Sequence, residues 1–258
     1  MPSTLVSQRR GIYGLAWGRG AHTERAENEC SKGSPESGIF RNISGHLAPA
    51  HRMESRQIGD GMSSNVIFSE EVWCDMETMG GGWMLVQKRH NGSVDFHRTW
   101  REYKQGFGGA SGEHWLGNSA LHRISTSRDY SLLVLLRDAD GNEAHSLYAH
   151  FHISDEDKNY SLHARGFSGT AGKTSSLTRS GTMFSTKDRD NDFCSCKCAQ
   201  MASGGWWFEA CGPSNLNGVY YPGTGVSKVA YNSIKWYYWK GPSLRATMTA
   251  MMLRPADF

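Results

Sequence analysis

The 258-residue chain has no apolar run long enough to cross a bilayer. Proline is scarce, at 7 residues against 30 glycines, so turns and close backbone approaches rest on glycine. Charged residues make up 21% and the net charge is only +3, with bases and acids interleaved. That pattern excludes a nucleic-acid-binding stripe and leaves no basis for membrane insertion. There is no internal repeat and no heptad pattern, so a coiled coil is not expected and the chain reads as a monomer. Catalytic signatures are missing too. Eleven histidines and many serines are present, yet none forms a nucleophile elbow or an H-E-x-x-H pattern, so the chain reads as a non-enzyme. The stretch 166–174 ends Gly172-Lys173-Thr174 but carries Phe167 where a phosphate-binding loop needs glycine. Residues 1–20 hold Arg9 and Arg10 but only a short apolar stretch broken by glycines, which does not read as an export signal.

Aromatics and cysteines carry the positive information. Aromatic residues reach 11%, including 9 tryptophans, as in loop-rich domains packed by large flat side chains. The six cysteines are Cys30, Cys74, Cys194, Cys196, Cys198 and Cys211. An even count suits three disulfides in an oxidising compartment, with fifteen possible pairings. The alternative is a thiolate metal site, although single-residue spacing at 194, 196 and 198 differs from paired C-x2-C ligation. Sequons at Asn42, Asn91 and Asn159 agree with secretion.

Residues 1–29 are polar and aperiodic and read as a disordered or atypical tail, with the main domain spanning 30–258 and an atypical stretch at 31–65. A short strand is expected at 38–40 and a loop at 46–64. Strands are expected at 72–76 and 82–87, around the glycine run 80–82, and a short helix opening at Thr99. The apolar run 130–137, a turn at Asp140-Gly141-Asn142 and the stretch 144–151 predict a hairpin. Beyond Gly166 turn residues dominate, which predicts loops around a few aromatics. The fold class is α+β.

Asp188, Asp190 and Asp192 alternate within a turn. Carboxylates so spaced, with backbone carbonyls, can supply the hard oxygens that calcium requires; a solvated acidic turn would look the same. His150 and His152 alternate along an expected strand and suit surface or packing positions. Trp206, Trp207, Trp236 and Trp239 suit a core, whereas Tyr237 and Tyr238 suit an interface.

Three blocks together resemble the fibrinogen C-terminal domain family. They are Gly80-Gly-Gly-Trp83 with the positions that follow to Trp115-Leu-Gly-Asn118; Phe184-Ser-Thr-Lys-Asp-Arg-Asp-Asn-Asp192; and Gly204-Gly-Trp-Trp207 with Cys211 and Ser214-Asn-Leu-Asn-Gly218. Within that family, Cys194-Ser-Cys-Lys-Cys198, Ala210-Cys-Gly-Pro-Ser214, Ile234-Lys-Trp-Tyr-Tyr-Trp-Lys240 and the ending Arg254-Pro-Ala-Asp-Phe258 resemble the angiopoietins. The resemblance implies a central antiparallel sheet with short helices and a loop-rich, calcium-binding C-terminal subdomain. It implies calcium held by Asp190 and Asp192 side chains and the carbonyls of Cys194 and Cys196, with Asp188 outside the first shell. It implies disulfides Cys30–Cys74, Cys194–Cys196 and Cys198–Cys211, and a cis peptide at Lys197-Cys198.

The same resemblance implies a secreted ligand domain that binds the ectodomain of a Tie-type receptor tyrosine kinase in angiogenic signalling. The matching receptor positions are Phe193, Ser195, Ala210, Tyr231, Tyr237 and Tyr238. Phe193 and Ser195 depart from the lysine and large aliphatic residue expected there. The interval from Cys30 to Cys74 is longer than the family's, and Pro242-Ser243 replaces a Tyr-Ser pair. A ficolin-like recognition of acetylated carbohydrates is the alternative, with capture of peptide N-termini a third possibility.

Overall fold

The computed structural model describes residues 72–109, 111–221 and 230–258. The tail 1–29, the strand expected at 38–40, the loop 46–64, Cys30 and Asn42 lie outside the described residues. The chain divides into two compact units, Met1–Gly82 and Trp83–Phe258. In the first, a two-residue strand β1 (Cys74–Asp75) leads into a single 3-10 turn, Thr78–Gly80. The Asp75 carboxylate accepts the backbone N–H of Glu77 and Thr78, both at 2.9 Å, and so closes that turn.

The second unit is built on an antiparallel sheet. Its strands are β2 (Trp83–Arg89), β3 (Phe107–Gly108), β4 (His114–Trp115), β5 (Tyr130–Asp138), β6 (Glu143–Ile153), β7 (Leu162–Gly169) and β10 (Ala246–Pro255). The order across the sheet is β3-β4-β2-β10-β5-β6-β7. A separate two-stranded ladder joins β8 (Ser214–Asn215) to β9 (Lys235–Trp236). Helices α1 (Trp100–Gln105), α2 (Asn118–Ser127) and α3 (Cys198–Met201) are short. The α+β class and the central antiparallel sheet match the sequence reading.

Local chemistry sets several of these elements. Thr99 caps α1 with a capping box: its hydroxyl accepts the Glu102 N–H while the Glu102 carboxylate accepts the Thr99 N–H at 2.8 Å. The β5–β6 hairpin pairs Leu132 with Tyr148 through to Arg137 with Glu143. Its turn is held by the Asp138 carboxylate, which accepts the N–H of Asp140 and Asn142, and by Gly141 at φ 80°. The stretch 166–174 does not form a phosphate-binding loop, as Phe167 indicated: β7 runs through Phe167 to Gly169, and no helix follows until Cys198 among the described residues.

β10 departs from the sequence expectation of a loop-dominated C-terminal third. It is the strand between β2 and β5, pairing Met252 with both Leu85 and Leu133. Its residues are buried almost throughout, so the apolar-polar alternation that marks a half-exposed strand is missing. Its partners lie more than a hundred residues upstream, where no turn signal can announce them.

Inside the sheet's edge sits a buried polar network. Glu113 is 1% exposed and Arg89 2%. The Glu113 carboxylate accepts the N–H of His90 (3.0 Å), Asn91 (3.3 Å), Gly92 (3.0 Å) and Val94 (2.9 Å), and lies 3.4 Å from Arg89 Nε. Burial alone would raise this carboxyl, but the Val94 N–H and the Arg89 charge outweigh it and hold it below its ordinary range. Arg89 Nη1 in turn donates to the carbonyls of Gly218 at 2.6 Å and Leu216 at 3.3 Å. Gln87 joins in: its Nε2 donates to the Leu216 carbonyl and Asn217 Oδ1, and its Oε1 accepts from Thr249.

Removing Glu113 leaves a buried guanidinium and four N–H groups without their acceptor. Glu113→Ala should lower stability by about 3–5 kcal/mol in denaturant unfolding. Glu143→Ala, which breaks the more exposed cross-strand pair with Arg137, should cost no more than about 1 kcal/mol. Equal losses from the two variants would contradict the organising role given to Glu113.

Candidate functional site

The C-terminal loops hang from that network. Asn217 donates through Nδ2 to the Gly205 carbonyl at 2.9 Å, and Asn215 through Nδ2 to the Ala202 carbonyl at 3.0 Å. Gly205 lies where an added Cβ would meet the Tyr103 ring at 2.5 Å, and its N–H donates to the Tyr103 hydroxyl at 2.9 Å. Close approach, not a special dihedral, therefore requires glycine there. The next residues, Trp206 and Trp207, are fully buried; Trp206 Nε1 donates to Ser214 Oγ and Trp207 Nε1 to the Tyr160 carbonyl. Trp236 is also fully buried, and Trp239 is half-buried.

The acidic loop is pinned at both ends. Asn191 donates through Nδ2 to the Phe184 carbonyl and through its backbone N–H to Ser185 Oγ. Asp188 turns away: its Oδ1 accepts the Trp100 N–H at the start of α1 and the Thr186 hydroxyl, both at 2.8 Å. Asp190 and Asp192 face each other, with the Asp192 N–H donating to Asp190 Oδ1 at 3.3 Å. The Asp192 carboxyl is pushed up by burial and by the like charge of Asp190. It also accepts the N–H of Cys194 at 2.8 Å and of Cys198 at 2.9 Å, fixing the cysteine segment around itself. Two apposed carboxylates offer hard oxygen donors of the kind calcium takes.

Cys194 is bonded to Cys196 and Cys198 to Cys211, as the resemblance implied. With all four sulfurs in disulfides, the thiolate metal site considered from the sequence is not formed in this state. Cys74 is disulfide-bonded; its expected partner Cys30 lies outside the described residues. One expectation fails. No cis peptide occurs among the described residues, so Lys197-Cys198 is trans. Lys197 instead takes the left-handed conformation, φ 54° and ψ 76°, and turns the chain into α3.

All six expected receptor positions are exposed. Phe193 is 64% exposed, Tyr231 54%, Tyr237 and Tyr238 46% each, and Ser195 and Ala210 are open as well. Contacts chain them together: the Phe193 N–H donates to the Glu209 carbonyl at 2.7 Å, beside Ala210, and the Tyr237 N–H donates to Pro213 at 2.8 Å. Tyr237 and Tyr238 meet edge to face with centroids 5.5 Å apart. Tyr231 and Tyr237 share a cavity of about 300 Å³ with Ile234, Lys235, Pro242 and Leu244. The Lys235 ammonium lies 5.4 Å from the Tyr231 ring centroid, and burial lowers its pKa. Sequence reasoning missed Lys235; its place between Ile234 and Trp236 gave the only hint, a charge inside an aromatic-rich block. Replacing Tyr-Ser by Pro242-Ser243 puts a proline on the rim of this cavity.

Two sequons differ in setting. Asn91 is exposed, whereas the half-buried Asn159 donates through Nδ2 to Met183 Sδ and accepts from Arg189 Nη2 at 2.6 Å. His150 and His152 are exposed on β6, His150 against Asp129 and His152 stacked on His163 at 4.4 Å.

Comparison with known proteins agrees with this arrangement. Residues 61–256 match the C-terminal globular domain of fibrinogen beta and gamma chains. Angiopoietin-2 of Sus scrofa is 58% identical over 188 residues, covering 73% of this chain and 38% of the relative. Angiopoietin-2 of Homo sapiens is 56% identical over 192 residues, covering 74% of this chain and 38% of the relative. The chain therefore spans about two fifths of the length of these curated relatives. Among solved structures, the fibrinogen-like globe domain of human ANGPTL6 superposes with a TM-score of 0.70 at 38% identity, over 73% of this chain and 84% of that one. The lamprey fibrin D-dimer superposes with a TM-score of 0.67 at 31% identity, over 74% and 66%. On sequence and fold alike, the chain belongs to the fibrinogen C-terminal domain family.

Proposed function

We propose that this chain is a secreted, angiopoietin-like ligand domain, a binding module and not an enzyme, that engages a Tie-type receptor ectodomain in angiogenic signalling. The observation that carries this reading is where the exposed hydrophobic residues fall. Seven large hydrophobic residues are exposed among the described residues, and four of them are Phe193, Tyr231, Tyr237 and Tyr238. Aromatic residues left in solvent on a rigid support suit a protein interface, where tyrosine is a frequent energetic anchor. The disulfides support an extracellular setting, and no helix among the described residues is long and apolar enough to cross a membrane.

Calcium completes the proposal. Asp190 and Asp192 side chains with the Cys194 and Cys196 carbonyls would hold it, and its charge would neutralise the apposed carboxylates. The bound ion would act through the loop, keeping Phe193 and Ser195 in register with Ala210.

Two measurements check these readings. Surface plasmon resonance against a Tie-type ectodomain should show Tyr237→Ala and Tyr238→Ala each weakening binding by roughly 30-fold or more, the loss expected of an interface anchor. Unchanged affinity in both would remove this surface from the interface, and binding to acetylated sugars alone would favour the carbohydrate reading. For calcium, chelation should lower the melting temperature by roughly 5–10 °C relative to a hundredfold excess of ion over its dissociation constant. Asp190→Ala should abolish that difference; no effect of chelation on the unmodified domain would exclude the site.

A further inference from the structure

The two C-terminal disulfides are packed against each other. Cys196 Sγ lies 3.4 Å from Cys211 Sγ, although neither is bonded to the other. All four sulfurs of Cys194, Cys196, Cys198 and Cys211 fall within 4.8 Å of one another. A disulfide needs its sulfurs at about 2.05 Å, so side-chain rotations over little more than an ångström bring Cys196 onto Cys211. Access is graded: Cys194 and Cys196 reach solvent, whereas Cys198 and Cys211 are buried. An external thiolate therefore meets the Cys194–Cys196 bond first.

We propose that this cluster is a thiol-reactive exchange site, whose substrate class is a small thiol or a dithiol oxidoreductase and whose product is an alternative pairing, Cys194–Cys198 with Cys196–Cys211. The external thiolate attacks Cys194 Sγ, breaks its bond to Cys196 and leaves Cys196 as the thiolate. Cys196 then attacks Cys211 Sγ, forming Cys196–Cys211 and expelling Cys198 as the thiolate. Cys198 attacks the mixed disulfide at Cys194, forms Cys194–Cys198 and releases the external thiol. Two disulfides enter and two leave, with no net oxidation or reduction, so the thiol acts as a catalyst.

The rearrangement has a mechanical consequence. In the observed pairing, the bonds 194–196 and 198–211 do not tie residues 190–197 to the segment carrying Ala210. In the exchanged pairing, Cys196 is bonded directly to the neighbour of Ala210, between Phe193 and Ser195 on one side and Tyr237 on the other. Exchange would thus reset the exposed face; this consequence, unlike the exchange itself, rests on the receptor-binding reading.

Trypsin distinguishes the pairings, because Lys197 is exposed and divides the cluster. The observed pairing yields peptide 190–197 and the peptide beginning at Cys198 as separate species, each closed by its own disulfide. The exchanged pairing links the two peptides. The folded chain is incubated with a substoichiometric amount of reduced glutathione, its free thiols are alkylated, and it is denatured, digested and analysed by mass spectrometry. The linked species should appear with thiol and be lost when thiol is omitted. Unlinked peptides under both conditions, or alkylated cysteines without any linked species, would overturn the proposal. Cys194→Ser provides a second reading: its freed Cys196 should take Cys211 without added thiol and leave Cys198 open to alkylation. An alkylated Cys196 beside an intact Cys198–Cys211 bond would overturn it as well. The peptide map involves no receptor, so its outcome is independent of receptor binding.

Discussion

The contact between Arg89 and Glu113 is the constraint on which the rest of the molecule is arranged. Glu113 gathers four turn N–H groups after β2, those of His90, Asn91, Gly92 and Val94, and Arg89 passes its remaining hydrogen-bonding capacity to the carbonyls of Leu216 and Gly218. A buried pair of this kind gives little net stability in itself, because desolvation consumes most of the attraction. Its effect is positional. A guanidinium that must find acceptors inside the protein leaves the segment after β8 few other places to lie.

From there the order propagates outward by short steps. Gln87 and Arg89 fix residues 216–218; Asn215 and Asn217 fix the backbone at Ala202 and Gly205; Trp206 and Trp207 follow into the core. Asp192 plays the corresponding role further out, receiving the N–H of Cys194 and Cys198. The exposed aromatics thus stand on loops with little regular structure, yet on backbone tied at close intervals to a buried sheet. Binding loops on a rigid support lose less freedom when a partner docks, which favours affinity.

The sequence made some of this legible and hid the rest for physical reasons. The β5–β6 hairpin and the Thr99 cap were readable because their signals are local: an apolar run, an Asp-Gly-Asn turn, a Thr followed by Glu102 three residues on. β10 was hidden because it is buried on both faces and pairs with strands far upstream. Helix α2 was missed as well; its first turn has no acidic residue and Gly117 offers no side-chain cap, so no start signal marks it. The Cys194–Cys196 and Cys198–Cys211 pairings followed from family resemblance, while the cavity beside Lys235 did not. A cavity is a property of several segments meeting, and residues 230–244 alone do not display it. The trans peptide at Lys197-Cys198 shows where resemblance overreached: the chain enters α3 through a left-handed Lys197 with no cis bond.

The central claim is that recognition is confined to the C-terminal loop face, supported from beneath by the sheet. Amide hydrogen exchange of the domain, free and bound to a Tie-type ectodomain, tests it most directly. Protection on binding should appear across residues 190–198, 209–213 and 231–240, leaving the edge strand β7 and its exposed histidine stack unchanged. Protection centred on β6 and β7, with the aromatic loops exchanging as in the free domain, would contradict the account.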